Sequence, residues 1–185
     1  MVVNNTRKEA YDLVVIGGGL AGTCCAIAAA RNGARTALVN DRIYLGGNAS
    51  PEISVGPEGA MAMGRNRFAD ETGLCGEIRT DWYLTGSREV GVLAQILWEK
   101  VSNEPNLTLF LNSVARDPEM ASDSIIKSVI VENRDSGEAV RLEADLFADC
   151  SGDGDVACQA GAEYNIGRES EHTYGESLAP EDADD

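Results

Sequence analysis

Short apolar runs and one helical repeat dominate the start of the chain. Residues 13–16 and 36–39 form two nearly continuous apolar runs. Such runs are typical of parallel strands that are covered on both faces. Between them, apolar residues recur at helical spacing from Leu20 onward, and Asn32-Gly33 supplies a helix stop signal. The pattern therefore predicts a β-turn-α-β unit over residues 1–39.

The remaining pattern predicts shorter elements joined by loops. Residues 40–66 are rich in Gly, Pro and Asn, and we expect them to form a loop. Asp135-Ser136-Gly137 predicts a hairpin turn. Helices are predicted around residues 70–80, from Glu89 to Ser102 and from Val156 to Ala160, and strands at residues 107–111, 124–132, 139–142 and 146–148. The chain is thus predicted to be α/β, with a parallel sheet and a small antiparallel β-meander.

A glycine motif lies between the first predicted strand and the first predicted helix. Gly17, Gly19 and Gly22 have the spacing of a dinucleotide-binding fingerprint. In that motif the first glycine permits a tight turn, the second lets a pyrophosphate approach the backbone, and the third lets the helix pack closely on the strand. The amides at the helix N-terminus attract the phosphates. The predicted binding turn consists of Gly17, Gly18, Gly19, Leu20, Ala21 and Gly22.

The end of the second strand is where a dinucleotide site holds its ribose. An acidic residue is expected there, about 20 residues after the glycines. This chain has Asn40, followed by Asp41 and Arg42. Either Asp41 supplies the carboxylate from a shifted loop, or Asn40 holds the ribose more weakly. The competing interpretation is that Asp41 and Arg42 form a solvated ion pair.

Charge and composition limit the class of protein. The formal net charge is −16, which argues against nucleic acid and anionic membranes as partners because their phosphates would be repelled. The chain has no apolar run of about 18 residues and no signal-peptide pattern, so we expect a cytoplasmic protein. Residues 169–185 carry seven carboxylates and no Lys or Arg. That composition predicts a loose acidic tail.

The five cysteines give no sign of redox or metal chemistry. Their number is odd and their spacing is irregular, which favours a reducing compartment. They are Cys24, Cys25, Cys75, Cys150 and Cys158. Neighbouring Cys24 and Cys25 are expected to pack in the core. No metal site is predicted. The single histidine, His172, is expected to be solvated, while Arg65 and Arg67 either bind an anionic substrate or face water.

Two segments resemble a known group of flavoproteins. Residues 11–48 resemble the FAD-binding start of the two-dinucleotide-binding-fold flavoproteins, the glutathione-reductase superfamily. More narrowly, LVNDR-x₃-GGNAS-x-EI and the later FADCSGDGDVA resemble bacterial FAD-dependent oxidoreductases of the heterodisulfide reductase A-like group. The resemblance covers nearly the whole chain. It implies FAD as cofactor, and flavin-mediated redox of an unidentified small-molecule substrate. Iron–sulfur clusters occur in the wider family, but this chain has no cluster ligand motif.

The resemblance also assigns residues along the cofactor. It implies that the glycine turn binds the FAD pyrophosphate. The further segments that it assigns to FAD are Gly46, Gly47 and Asn48 beside the pyrophosphate and ribityl chain, Val114 as a backbone contact to adenine, and Gly152 with Asp153 as the strand-to-turn motif that returns to the cofactor. Capping of the helix at 156–160 by Asp153 or Asp155 is the alternative for the last of these. No catalytic residue is identified.

One architecture and three functional alternatives follow. We expect a Rossmann-like FAD/NAD(P)-binding domain at residues 1–168 and an acidic, disordered tail at residues 169–185. The family usually continues into a substrate domain, so the chain is expected to be an N-terminal portion that binds FAD weakly and either self-associates or needs its missing C-terminal domain. An FAD-dependent oxidoreductase is the leading hypothesis. The alternatives are a non-catalytic FAD-binding fragment or one component of a larger complex, and an NAD-binding domain without flavin.

Overall fold

The structure is a computed structural model, and it describes residues 6–57 and 69–184. The strands are β1 (Arg7–Ile16), β2 (Thr36–Val39), β3 (Leu107–Phe110), β4 (Ser113–Ser122), β5 (Ile125–Asn133) and β6 (Ala139–Asp149). The helices are α1 (Leu20–Arg31), α2 (Gly73–Leu84), α3 (Val90–Ser102), α4 (Asp155–Gln159) and α5 (Glu171–Tyr174), and Gly47–Ala49 forms one 3₁₀ turn.

The six strands form one sheet in the order β3-β2-β1-β6-β5-β4. Strands β3, β2, β1 and β6 are parallel, and β6, β5 and β4 continue as an antiparallel meander. Val14 pairs with Ala37 on one side and with Phe147 on the other. The carboxyl ends of β1, β2, β3 and β6 therefore meet at one edge of the sheet. The predicted α/β class is confirmed.

The core has two halves, one on each face of the parallel strands. Val15 and Leu38 pack with Ile27, Leu93 and Leu97 from α1 and α3 on the helical side. On the opposite face the neighbouring strand positions pack against the meander, in a cluster that includes Val14, Val39, Val129, Val131 and Leu142. Because successive strand residues point to opposite faces, both faces must be apolar. The helices therefore cover one face of the parallel strands, and the meander, which continues the same sheet, packs against the other face.

The structure extends the sheet beyond the sequence-based expectation. Strand β1 begins at Arg7 rather than at residue 13, because its polar first half pairs with β6 from Val140 onward. Strand β6 is one continuous element where two were predicted. Strand β4 was not predicted at all: its sequence is polar and contains Pro118. It is an edge strand with irregular register after Arg116, and a proline is tolerated in such a position.

The acidic segment after α4 folds back on itself. Arg168 and Asp184 form an antiparallel bridge, and the Glu171 N–H donates to the Pro180 carbonyl at 2.8 Å. Tyr174 and Leu178 are 70% and 93% exposed. The segment predicted as a loose tail is thus closed into a loop by its own hydrogen bonds. The domain boundary at residue 168 stays a prediction.

A cluster of charged side chains ties the three large helices together. Glu77 of α2 accepts two hydrogen bonds from Arg31 of α1, at 2.7 and 3.0 Å, and one from Lys100 of α3 at 2.5 Å. Arg31 also donates to Glu104 at 2.6 Å. The hydrogen bonds from Arg31, followed by that from Lys100, lower the pKa of Glu77 to about 2.

Acid is therefore expected to weaken this helical layer through Glu77. Because its folded-state pKa is lowered, its stabilising contribution is present above its ordinary value of 4.5 and is lost as the pH falls towards about 2. The side chain is 38% exposed, and exposed ion pairs contribute at most about 1 kcal/mol, or about 2–4 °C in a domain of this size. The thermal midpoint of Glu77→Gln should accordingly change less than that of the wild type between pH 5 and pH 2. Glu99→Gln on α3 is the control, and a Glu77→Gln profile parallel to the wild type would contradict the assignment.

Candidate cofactor site

The turn after β1 is fixed by the two strands beside it. The Gly17 N–H donates to the Val39 carbonyl at 2.8 Å, and the Cys150 N–H donates to the Ile16 carbonyl at 2.7 Å. Gly17 has φ +98°, and a Cβ there would lie 2.5 Å from the Cys150 carbonyl oxygen. Only glycine satisfies both the backbone conformation and the space. The turn is thus locked at the carboxyl edge of the sheet.

Close packing of α1 on this turn accounts for Gly22. A Cβ at Gly22 would lie 1.9 Å from the Gly17 carbonyl oxygen and 3.1 Å from the Cys150 Cβ. The first contact is shorter than a real Cβ atom tolerates, and the second is tight enough that Cys150 would have to shift slightly. Any larger residue would therefore displace the helix from the strand.

Gly19 differs from the other two glycines of the motif. Its backbone, at φ −63° and ψ 180°, is extended and open to any residue. A Cβ at Gly19 would have nothing within 4 Å. Neither backbone conformation nor contact within the described chain thus demands a glycine here. The space above Gly19 is a cradle that a side chain would fill.

Amide groups of the α1 N-terminus adjoin this cradle. The first helical bond runs from the Thr23 N–H to the Gly19 carbonyl at 2.9 Å. The amides of Leu20, Ala21 and Gly22 precede it and so lack partners within the helix. Together with the positive end of the helix dipole, they suit an anion such as a pyrophosphate. The residues present fit the phosphate portion of a dinucleotide.

A second glycine turn lies directly against the first. The Gly46 N–H donates to the Gly18 carbonyl at 2.8 Å, and Gly46 has φ +112°. A Cβ at Gly47 would lie 3.1 Å from the Gly19 Cα. Asn48 follows at the exposed surface, and its carbonyl accepts from the Val55 N–H. The structure thus brings the two predicted glycine motifs together.

Asn40 lies beneath both turns, and its carboxamide is engaged at both ends. Its Oδ1 accepts from the Gly18 N–H at 3.0 Å. Its Nδ2 donates to the carbonyls of Arg42 and Tyr44 at 3.0 and 2.9 Å. The residue is only 5% exposed. Sequence spacing placed Asn40 near the ribose position, but no pattern in the sequence indicated these three bonds.

The residues after Asn40 lie at the surface beside the start of β4. Asp41 pairs with Arg134 at 3.5 Å, and Arg42 pairs with Glu52 at 3.1 Å. The Ser113 N–H donates to the Asn40 carbonyl at 2.9 Å. Val114, the next residue of β4, is therefore held beside the end of β2, and its contact with adenine stays a prediction.

The turn after β6 brings Gly152 and Asp153 to the same edge of the sheet. Asp153 and Asp155 are exposed, and the backbone residue that caps α4 is Gly154. Asp149, which the sequence analysis did not single out, accepts from the Ala157 N–H at 2.9 Å and from the Ser151 hydroxyl at 2.6 Å. The capping contact predicted for Asp153 or Asp155 is thus made by Asp149.

The hydrogen bonds of Asp149 also determine its ionisation. Burial raises the pKa of its carboxyl group, but hydrogen bonds from the Ser151 hydroxyl and from the amides of Ala157, Ser151 and Val156 outweigh this effect. The net result is a lowered pKa. Asp149 is therefore a fixed anion that orders the Gly152-Asp153 turn.

Other candidate residues lie away from these turns or outside the described part of the chain. Arg65 and Arg67 belong to the residues that the structure does not describe. His172 is exposed in α5. Cys24, Cys25 and Cys150 are half-buried, and Cys75 and Cys158 are exposed. Within residues 6–57 and 69–184, no three His, Cys, Asp or Glu side chains are grouped to hold a metal ion. Over the same ranges, no helix has the length and apolar character needed to cross a bilayer.

The fold and the two glycine turns define a Rossmann-like dinucleotide-binding domain. The chain belongs to the FAD-dependent oxidoreductase family, whose model matches residues 12–183. FAD is accordingly its cofactor, and the anion cradle over Gly19 fits that cofactor.

Several solved protein structures share this fold at low sequence identity. The Mycobacterium smegmatis Sdh1 complex aligns with TM-score 0.61 and 17% identity, over 84% of this chain and 39% of that chain. The myxobacterial chondrochloren halogenase CndH, an FAD-dependent halogenase, aligns with TM-score 0.59 and 16% identity, over 87% and 41%. Thermovibrio ammonificans THI4 aligns with TM-score 0.56 and 16% identity, over 94% and 76%. The chain thus spans about two fifths of the length of the first two.

Proposed function

We propose that this chain is the FAD-binding portion of an oxidoreductase in which flavin exchanges electrons with a small-molecule substrate. Gly19 is the observation that carries the proposal. It is a glycine with an ordinary backbone and open space above it, so the described chain gives no internal reason for it. A pyrophosphate resting against the backbone supplies that reason.

The proposed cofactor follows the carboxyl edge of the sheet. The amides of Leu20, Ala21 and Gly22 would hold the pyrophosphate, with Gly18 and Gly19 below it. Gly46, Gly47 and Asn48 would border the ribityl chain, Gly152 and Asp153 would meet it from the turn after β6, and Val114 would approach the adenine. When bound, FAD supplies the redox chemistry, while these residues orient it and keep water from its phosphates.

The finer assignment of the family is also a proposal. The motifs LVNDR-x₃-GGNAS-x-EI and FADCSGDGDVA support membership in the heterodisulfide reductase A-like group of the glutathione-reductase superfamily. Gly46-Gly47 is followed by Asn48-Ala49-Ser50, where disulfide reductases of that superfamily carry a cysteine pair. We therefore propose that electrons pass between flavin and substrate without a protein disulfide.

Titration with FAD and FMN tests the proposed binding mode. FMN lacks the adenylyl half of FAD, which includes one of its two phosphates. The contacts to that phosphate contribute about 1.5–3 kcal/mol, or roughly 10- to 100-fold in affinity. The fluorescence of FAD should be quenched when FAD binds the protein. FMN should bind at least about tenfold more weakly than FAD. NAD is the competing dinucleotide. Equal affinity for FAD and FMN, or preferential binding of NAD, would contradict the proposal, and turnover with artificial electron acceptors separates an enzyme from a non-catalytic component.

A further inference from the structure

The Asn40 carboxamide joins the two turns of the proposed FAD site. We infer that Asn40 is a positioning residue that fastens the pyrophosphate turn to the loop carrying Gly46 and Gly47, and that the adjacent Asp41 carboxylate holds the adenine ribose. This inference rests on the proposed function, because it concerns the same dinucleotide site.

The three hydrogen bonds of Asn40 require an amide. The Gly18 N–H needs an acceptor, while the carbonyls of Arg42 and Tyr44 need donors. An ionised aspartate can only accept, so it would leave both carbonyls unpaired and would repel them. Because the residue is buried, water does not easily replace the lost bonds.

The packing around Gly18 shows how closely the amide lies on the turn. A Cβ at Gly18 would lie 2.7 Å from the Asn40 Cγ and 2.6 Å from the Leu45 Cδ2. Leu45 is 2% exposed and packs in the helical half of the core. The amide is thus clamped between the pyrophosphate turn and the loop, and a shift of Asn40 must move Gly18.

Asp41, the residue directly after Asn40, carries a carboxylate that remains available to a ribose. It follows Asn40 at the end of β2, and its only ion pair among the described residues is the one with Arg134 at 3.5 Å. Both side chains of that pair are about half exposed. An exposed pair at this distance is weak, so the carboxylate can accept hydrogen bonds from ribose hydroxyls at little cost.

ADP and 2′-deoxy-ADP separate the two roles, because they differ only in one ribose hydroxyl. Calorimetric titration of the 185-residue chain should show that the wild type binds ADP about tenfold more tightly than 2′-deoxy-ADP, the usual value of a charge-assisted hydrogen bond. Asp41→Asn should lose most of this preference and keep its thermal midpoint. Asn40→Asp should bind both nucleotides about tenfold or more weakly and keep the ratio between them.

Two further variants complete the test. Asn40→Ser retains one donor and one acceptor and should lose less affinity than Asn40→Asp, which also covers the case that the aspartate variant does not fold. Asp123→Asn in the β4–β5 turn removes an equal charge at the opposite end of β4 from the site and should match the wild type in affinity and ratio. Asn40→Asp binding ADP as tightly as the wild type or more tightly, or Asp41→Asn keeping the full preference, would overturn this inference alone. Failure of the wild type to bind either ADP or FAD would overturn the proposed function itself.

Discussion

Gly19→Asp should abolish flavin binding and leave the fold intact. The new side chain meets no protein atom within 4 Å of its Cβ, and its backbone angles suit any residue. Its carboxylate would instead occupy the cradle proposed for the pyrophosphate. Two like charges 4 Å apart at an effective dielectric constant of 20 repel by about 4 kcal/mol, which corresponds to roughly 1,000-fold in affinity.

Fluorescence titration with FAD, together with the thermal midpoint of the apoprotein, measures both parts of this prediction. Gly91→Asp is the matched control, because Gly91 is an exposed helical glycine of α3 with open space around its Cβ position. It adds the same charge away from the glycine turns and should retain FAD. A Gly19→Asp protein that still purifies with one flavin per chain would show that the pyrophosphate lies elsewhere.

Gly22→Ala should destabilise the whole domain, although it adds only one methyl group. That methyl would lie 1.9 Å from the Gly17 carbonyl oxygen, which is backbone and is fixed by the neighbouring strands. Helix α1 must then move away from β1, and overpacking of this kind costs about 1–3 kcal/mol or more. FAD affinity should fall as well, because the displaced helix carries the Leu20 and Ala21 amides.

Gly91→Ala should instead raise the free energy of unfolding. An alanine there meets no atom within 4 Å, and it replaces a glycine in the first turn of α3. Alanine is favoured over glycine within helices by up to about 1 kcal/mol. Urea unfolding of the two variants gives the comparison directly. Equal stability of Gly22→Ala and the wild type would mean that α1 does not pack on the turn as the structure shows.

The sequence was sufficient to predict the first βαβ unit because local signals agree there. Two apolar runs, a helical repeat and three spaced glycines all favour the same arrangement, and β2 and α1 begin and end where they were predicted. The β5–β6 hairpin of the meander was also predicted, from its apolar runs and the Asp135-Ser136-Gly137 turn, but β4 was not. The polar residues 113–122 form a strand only because β5 is available to pair with them, and that pairing is a property of the folded chain.

The same distinction applies to the candidate site. Glycine positions follow from spacing, and the structure brings Gly19 and Gly46 together. The roles of Asn40 and Asp149 depend on where loops converge, since Asn40 meets a turn 22 residues earlier and Asp149 meets an amide eight residues later. A neutral residue where an acid was expected was the one available signal for Asn40. For Asp149 the only signal was its place at the end of a strand, just before a glycine-rich turn.

The hydrogen bond from the Cys150 N–H to the Ile16 carbonyl, beside Gly17, has a consequence for biosynthesis. The glycine motif emerges from the ribosome early, but β1 lies between β2 and β6, and the Ile16 carbonyl finds its partner only when residue 150 arrives. Long-range strand pairing of this kind forms late, because a large loop of chain must close first. A nascent chain that has exposed the complete fingerprint should therefore still be unable to retain its flavin. Cofactor capture becomes a late step in the synthesis of this domain, because it depends on β6, the last of the described strands, as well as on the early glycine motif.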